Sequence, residues 1–287
     1  MEIYRRDLKN LTIKPSGRSS DFITPSFGTG CLLECSYCYM KRNTPNGLTI
    51  YNNVDQILLA IDKHSKKSII HKPNQTDEKY ITYDISCNED FALHLPNHQW
   101  EKIFTFFKQH TRAKGTLATK IIPKKLLSFN PNGKIRIRFS LMPQILANIL
   151  EPNSATITKR IQAINTFIEA GYDVHVNFSP VIVFNFWIDE YKKLFQELDA
   201  TVKDEYKHKV KAEVIFLTHN ENKHYENLRN NIKGENLLWI PSIQENKISQ
   251  YGGINIRYKY QIKEQFINQF IELHDNIIPW NTIRYIF

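Results

Sequence analysis

A repeated alternation of β-prone runs with amphipathic helical segments constrains this chain more than any other feature. The β-prone runs fall at 22–27, 80–85, 115–121, 134–139, 172–178 and 210–217. Between them apolar residues recur at helical spacing, at Val54, Ile57, Leu58 and Ile61 and again at Trp100, Ile103, Phe104 and Phe107. Ser154 or Thr156 can cap a further helix that Gly171 ends, and 188–198 reads as another. The connections are long enough for parallel pairing, which implies an α/β barrel or an open parallel sheet. No glycine-rich nucleotide fingerprint follows any strand, which argues against a Rossmann domain. The alternation stops near residue 217, so a partial barrel of about six strands is expected rather than a closed one of eight. After that, 237–240 and 254–260 read as an antiparallel pair, 262–273 as a helix and 282–287 as a last strand. The expected organisation is an irregular arm (1–20), the barrel (21–220) and a C-terminal extension (221–287) packed on it. The polar residues 221–236 read as a surface excursion.

The chain has 287 residues, of which 41% are hydrophobic, enough for one large core. No apolar window is long enough for a membrane span, and the N-terminus lacks the apolar stretch of a signal peptide, so a cytoplasmic location is expected. In that reducing compartment the four cysteines are expected as thiols rather than disulfides. A net charge of +9 suits a polyanionic partner such as nucleic acid, and 17 Phe with 14 Tyr can supply stacking surfaces.

Three of the cysteines, Cys31, Cys35 and Cys38, crowd into Gly30-Cys31-Leu32-Leu33-Glu34-Cys35-Ser36-Tyr37-Cys38-Tyr39, spaced C-x3-C-x2-C. Closely spaced thiolates are soft ligands for zinc or an iron–sulfur cluster. Zinc requires a fourth ligand, for which Cys87 or a histidine is available. A four-iron cluster held by three cysteines leaves one iron open to an outside ligand. A glycine before the first cysteine permits close backbone approach, and a neighbouring aromatic can shield the cluster. A loop after the first strand of a barrel opens on its C-terminal face, where barrel chemistry takes place.

This loop, with an aromatic directly before its last cysteine, resembles that of the radical S-adenosylmethionine (SAM) enzymes. The resemblance implies a radical SAM partial barrel in which S-adenosyl-L-methionine binds the open iron of a [4Fe–4S] cluster. Its reductive cleavage then gives a 5′-deoxyadenosyl radical. Within that superfamily the chain is similar, from about residue 20 onward, to the spore photoproduct lyase family, which reverses a thymine-dimer photolesion in DNA. That family has tyrosines on both sides of the third cluster cysteine, as at Tyr37 and Tyr39. It also has a lone cysteine followed shortly by an aspartate, as in Cys87-Asn88-Glu89-Asp90. The resemblance implies that Cys87 donates a hydrogen atom to the product radical and that the tyrosines return hydrogen to the cofactor. Lys120 and Ser140 are implied as cofactor contacts, Tyr37 beside them, and 158–172 matches a long helix and the next strand. UV-damaged DNA and an external electron donor such as flavodoxin or ferredoxin are the implied partners of a monomer.

The chain departs from the family at Glu89, which puts an anion near the expected DNA site. It departs again at the lesion-recognition hairpin, where an Arg-Tyr pair before glycine is replaced by Gln250-Tyr251-Gly252 and the nearest cation is Arg257. Tyr251, at a hairpin edge, and Arg257 are the substrate-binding candidates. Lys134, Arg136 and Arg138 alternate with apolar residues, so they line an exposed or ligand-facing side of their strand, with DNA contact as a secondary reading. His219 reads first as a hydrogen-bonded structural residue. Two alternatives stay open: a radical SAM enzyme acting on another nucleotide or RNA, and a non-catalytic nucleic-acid-binding protein with a structural metal.

Overall fold

A computed structural model describes residues 3–16, 21–38, 40, 47–67, 77–248 and 253–287. Six strands form where the alternation predicts them: β1 (Phe22–Ile23), β2 (Ile81–Asp84), β3 (Ala113–Thr119), β4 (Ile135–Ser140), β5 (Asp173–Val181) and β6 (Lys211–Phe216). Each pairs in parallel with the next, so the order in the sheet follows the order in the chain. The helices α1 (Val54–Lys67), α2 (Trp100–Gln109), α3 (Gln144–Leu150), α4 (Ile157–Glu169) and α5 (Trp187–Thr201) lie in the crossovers. The apolar stripes read from the sequence on α1 and α2 are buried. Thr156 caps α4, accepting from the Lys159 N–H at 3.4 Å, and Gly171 leaves the helix at φ +90°. The short helix α3 has no counterpart in the sequence reading.

Strand periodicity decides what the curled sheet holds inside. On β4, Ile135, Ile137 and Phe139 face the helices, with the Phe139 ring 5.5 Å from Phe167 of α4. Arg136, Arg138 and Ser140 therefore face the concave side. This corrects the exposed cation stripe expected there: Lys134, Arg136 and Arg138 are all buried. Arg136 lies 2.8 Å from Asp173 and 3.1 Å from Asp77. Arg138 lies 2.8 Å from Asp84 of β2 and 2.9 Å from Glu213 of β6. A charge can be buried at tolerable cost only when paired in this way. Burial works against the charge of Asp173, but His175 and Arg136 outweigh it and hold the carboxyl well below its usual range.

The C-terminal part comprises β7 (Thr218–Asn220), α6 (Glu221–Arg229), α7 (Glu235–Leu238), β8 (Gln244–Ile248), β9 (Ile254–Tyr258), α8 (Tyr260–Ile277) and β10 (Thr282–Ile286). Strands β7 and β8 flank β9 in an antiparallel sheet of three. The partner of β9 is thus 244–248 and not 237–240, whose first half is helical in α7. A short apolar run such as Leu237-Leu238-Trp239-Ile240 does not separate strand from helix by periodicity, and Gln244–Ile248 shows no clean alternation. Strand β10 returns to the main sheet as a seventh parallel strand beside β6. At the opposite edge Lys14–Pro15 pairs antiparallel with β1. The arm expected to be irregular also contains Ile3–Arg6, paired in parallel with Leu48–Tyr51. Its four side chains are all exposed, so no hydrophobic pattern announces it. Among the described residues no helix is long and apolar enough to cross a membrane.

Candidate functional site

The loops after β1, β2 and β3 meet at the C-terminal edge of the sheet, and the cysteine loop is built into them. Gly30 sits at φ +113°, and a Cβ there would come within 2.9 Å of the Gly47 carbonyl oxygen, so only glycine fits. Its N–H donates to the Asn88 carbonyl at 3.0 Å. The backbone N–H groups of Leu33 and Asp90 both point at Cys31 Sγ. Burial nevertheless pushes the Cys31 thiol up to about 11 and raises that of Cys35 further. Cys31, Cys35 and Cys38 are all free and within electrostatic reach of one another. Among the described residues no three His, Cys, Asp or Glu side chains converge as the ligands of one metal ion must. A multi-iron cluster makes a different demand, because each thiolate reaches its own iron. Three free thiols within electrostatic reach of one another suit that demand.

Asp90 ties this loop to the end of β3. It accepts from Thr119 Oγ1 at 2.9 Å, from the Lys120 N–H at 2.9 Å and from the Leu93 N–H at 3.1 Å. Lys120 lies over the Tyr37 ring, its Nζ 5.8 Å from the centroid. Burial opposes its charge, but Glu151 and Cys35 outweigh this and keep the ammonium form favoured. The Tyr37 hydroxyl donates to Glu151 Oε1. Burial, with Glu151 second, raises the Tyr37 phenol well above its usual range, so it keeps its hydrogen. Arg160 of α4 completes the group, 2.6 Å from Glu151 Oε2 and 2.8 Å from the Ser140 carbonyl oxygen at the end of β4. Tyr37 and the Ser140 carbonyl are thereby joined through Glu151 and Arg160, and the charge of Glu151 also acts on Cys35 and Lys120. Neither Glu151 nor Arg160 was singled out from the sequence. Both are charged residues buried to 3% exposure or less, which periodicity on α4 does not signal.

Cys87 follows β2, its Sγ 4.0 Å from Ser26 Oγ. Burial, with Asp84 second, pushes its thiol up to about 12. Glu89 does not face a polyanion as its sequence position suggested. It is buried beneath Gly28 and lies 2.9 Å from His98 Nε2. Arg257, on β9, pairs across the strands with Glu245 at 2.9 Å, and both are 36% exposed. Arg257 thus sits on the C-terminal antiparallel sheet, beside Thr218 of β7. Tyr39 and Tyr251 lie outside the described residues. His219 is buried and bonded to Glu235 at 3.0 Å, in line with its structural reading.

The family model described as "SPL: Spore photoproduct lyase" matches residues 4–287. Spore photoproduct lyase of Bacillus subtilis (strain 168) is 29% identical over 212 residues, 72% of this chain and 59% of that protein. The enzyme of that name from Geobacillus sp. (strain Y412MC61) is 28% identical over 199 residues, 68% of this chain and 54% of the relative. The chain therefore spans less than two thirds of the length of both. The Clostridium acetobutylicum protein of the same name is 26% identical over 298 residues, and 80% of its length is covered. A solved spore photoproduct lyase complexed with dinucleoside spore photoproduct superposes with a TM-score of 0.88 at 20% identity, covering 99% of this chain and 82% of the other. A mutant form with bound AdoMet and the same dinucleoside gives the same score at 19% identity and the same coverage. At that identity the likeness establishes the shared fold.

Proposed function

Because the chain belongs to the spore photoproduct lyase family, we propose that it is a radical SAM lyase that repairs a thymine-dimer photolesion in DNA. The observation that carries this reading is the meeting of three free thiols, Lys120 and Cys87 in successive loops at one end of the sheet. In this reading Cys31, Cys35 and Cys38 hold a [4Fe–4S] cluster, and Lys120, Ser140 and Tyr37 contact S-adenosyl-L-methionine. Given an electron from a donor such as flavodoxin or ferredoxin, those two groups supply a 5′-deoxyadenosyl radical when bound. Lys120, kept charged by Glu151, suits an anionic group of the cofactor.

Cys87 is the proposed hydrogen donor to the product thymine radical. Its raised thiol remains S–H at neutral pH, which hydrogen-atom transfer requires. In the step the S–H bond breaks, a C–H bond forms, and the sulfur is left one hydrogen atom short. A phenol hydrogen from Tyr37 or Tyr39 would then restore it, and the phenoxyl so left would take a hydrogen atom from 5′-deoxyadenosine, which returns the hydrogen to the cofactor. Tyr251 and Arg257 are the proposed substrate contacts, with Arg257 exchanging Glu245 for a phosphate at the partly exposed hairpin.

The test compares wild type with Cys87→Ala after anaerobic reconstitution, supplying reductant, S-adenosyl-L-methionine and UV-damaged DNA. Wild type should return thymine, whereas C87A should still cleave the cofactor but accumulate misquenched adducts. Clean repair by C87A at the wild-type rate would remove Cys87 from the role. Stoichiometric zinc without labile sulfide in the reconstituted wild type would overturn the cofactor reading.

A further inference from the structure

The segment 221–236 reads from the sequence as a surface excursion, yet it reaches into the middle of the cysteine loop. Ser36, between Cys35 and Tyr37, is buried, and all three of its polar groups are bonded outside the loop. Its N–H donates to the Leu150 carbonyl at 2.9 Å, and its hydroxyl donates to the Lys233 carbonyl at 3.0 Å. Its carbonyl accepts from Asn227 Nδ2 of α6 at 2.9 Å. The same Nδ2 donates its other hydrogen to Glu235 Oε2 of α7 at 2.5 Å. Both partners are acceptors only, so the amide has one possible orientation and both of its hydrogens are used. Glu235 is fixed in turn through its other oxygen, by His219 of β7 at 3.0 Å and His224 of α6 at 2.6 Å. The His224 ring stacks on Trp239 with centroids 4.0 Å apart. Asn227 has no surface exposure, so water cannot replace it.

We propose that Asn227, oriented by Glu235, is a positioning residue that clamps the Ser36 peptide and so sets the placement of Cys35 and Cys38 for the cluster. The inference rests on the reading of the three cysteines as cluster ligands. It adds that the C-terminal part belongs to the cluster site: β7, which carries His219, pairs with β9 of the outer sheet. The clamp touches neither the cofactor nor the substrate. It acts through one carbonyl, as partners behind metal ligands commonly do.

The test has two readouts on Asn227→Ala, with Tyr225→Ala on the exposed face of the same helix as control. The first is hydrogen–deuterium exchange in the apo protein, which needs no cluster. N227A should exchange the amides of Ser36 to Cys38 about tenfold faster, while β4 and β5 keep wild-type rates. A merely structural role would accelerate all of these together. The second is anaerobic iron release to a chelator from the reconstituted protein, expected to be about tenfold faster in N227A and unchanged in the control. Wild-type behaviour of N227A in either readout, or uniform acceleration of exchange across the sheet, would overturn the proposal. If N227A does not fold, Asn227→Leu removes the same donor at nearly equal volume. It should give the same localised signature, and wild-type exchange in N227L would overturn the clamp. Failure of the wild type to take up iron and sulfide would overturn the cluster reading, while the apo exchange would still judge the clamp of the loop by Asn227.

Discussion

Arg138 shows how a single side chain can be fixed by the whole sheet. Its guanidinium bridges Asp84 and Glu213, with side chains only 4% exposed on Arg138 and 0% on Glu213. In the sequence its alternation with apolar neighbours looks like an ordinary amphipathic strand, and the solvent-facing reading is the natural one. What reverses it is the curl of the sheet, which brings carboxylates from β2 and β6 to the same guanidinium. Arg138→Ala should therefore destabilise the fold by about 3–5 kcal/mol, because it strands buried carboxylates without their cation. Urea unfolding at neutral pH measures this, and a loss below about 1 kcal/mol would show that the pair is not buried in solution. Cys31, Cys35 and Cys38 were legible because thiols at short spacing are rare and chemically specific, and the lone Cys87 stood out only through the family resemblance. Glu151, Arg160, Asn227 and Glu235 were not, because each draws its role from partners far away in the chain.

At the scale of the elements, the six barrel strands and their helices other than the short α3 were readable because two clear periods alternate along the chain. The C-terminal sheet was less so: β8 is polar on both faces, and α7 is too short to show a period. The concave face of the main sheet carries a pH dependence that follows from its pairs. Burial pushes His175 on β5 down to about 4 despite the adjacent Asp173, so it stays neutral in the fold. A depressed histidine contributes stability that is present above the unfolded value near 6.5 and is lost as pH falls toward 4. Asp77, Asp173 and Glu213 are also depressed, by ion pairs that outweigh burial. Their contribution is present above the unfolded carboxylate values near 4 and is lost below them. The urea midpoint should thus be lower at pH 5 than at pH 7 and lower again at pH 3.5. A midpoint unchanged between pH 7 and pH 5 would contradict a buried neutral His175.

Taken as a whole molecule, the chain combines a net charge of +9 with a sheet interior in which buried cations are matched by carboxylates. The excess positive charge is therefore available to the exterior, where it favours encounter with a polyanion, as the proposed DNA substrate would be. The same chain spans less than two thirds of the length of two of its relatives, yet it matches the family model from residue 4 to residue 287. The cysteine loop, Cys87, Lys120 and Ser140 lie at one end of its main sheet. The most direct measurement incubates the reduced, cluster-loaded wild type with S-adenosyl-L-methionine and isolated dinucleoside spore photoproduct in the dark, and follows thymine by mass spectrometry. Conversion of the lesion to thymine, dependent on the cofactor, is the predicted result; cleavage of S-adenosyl-L-methionine with the dinucleoside left intact would contradict lesion repair.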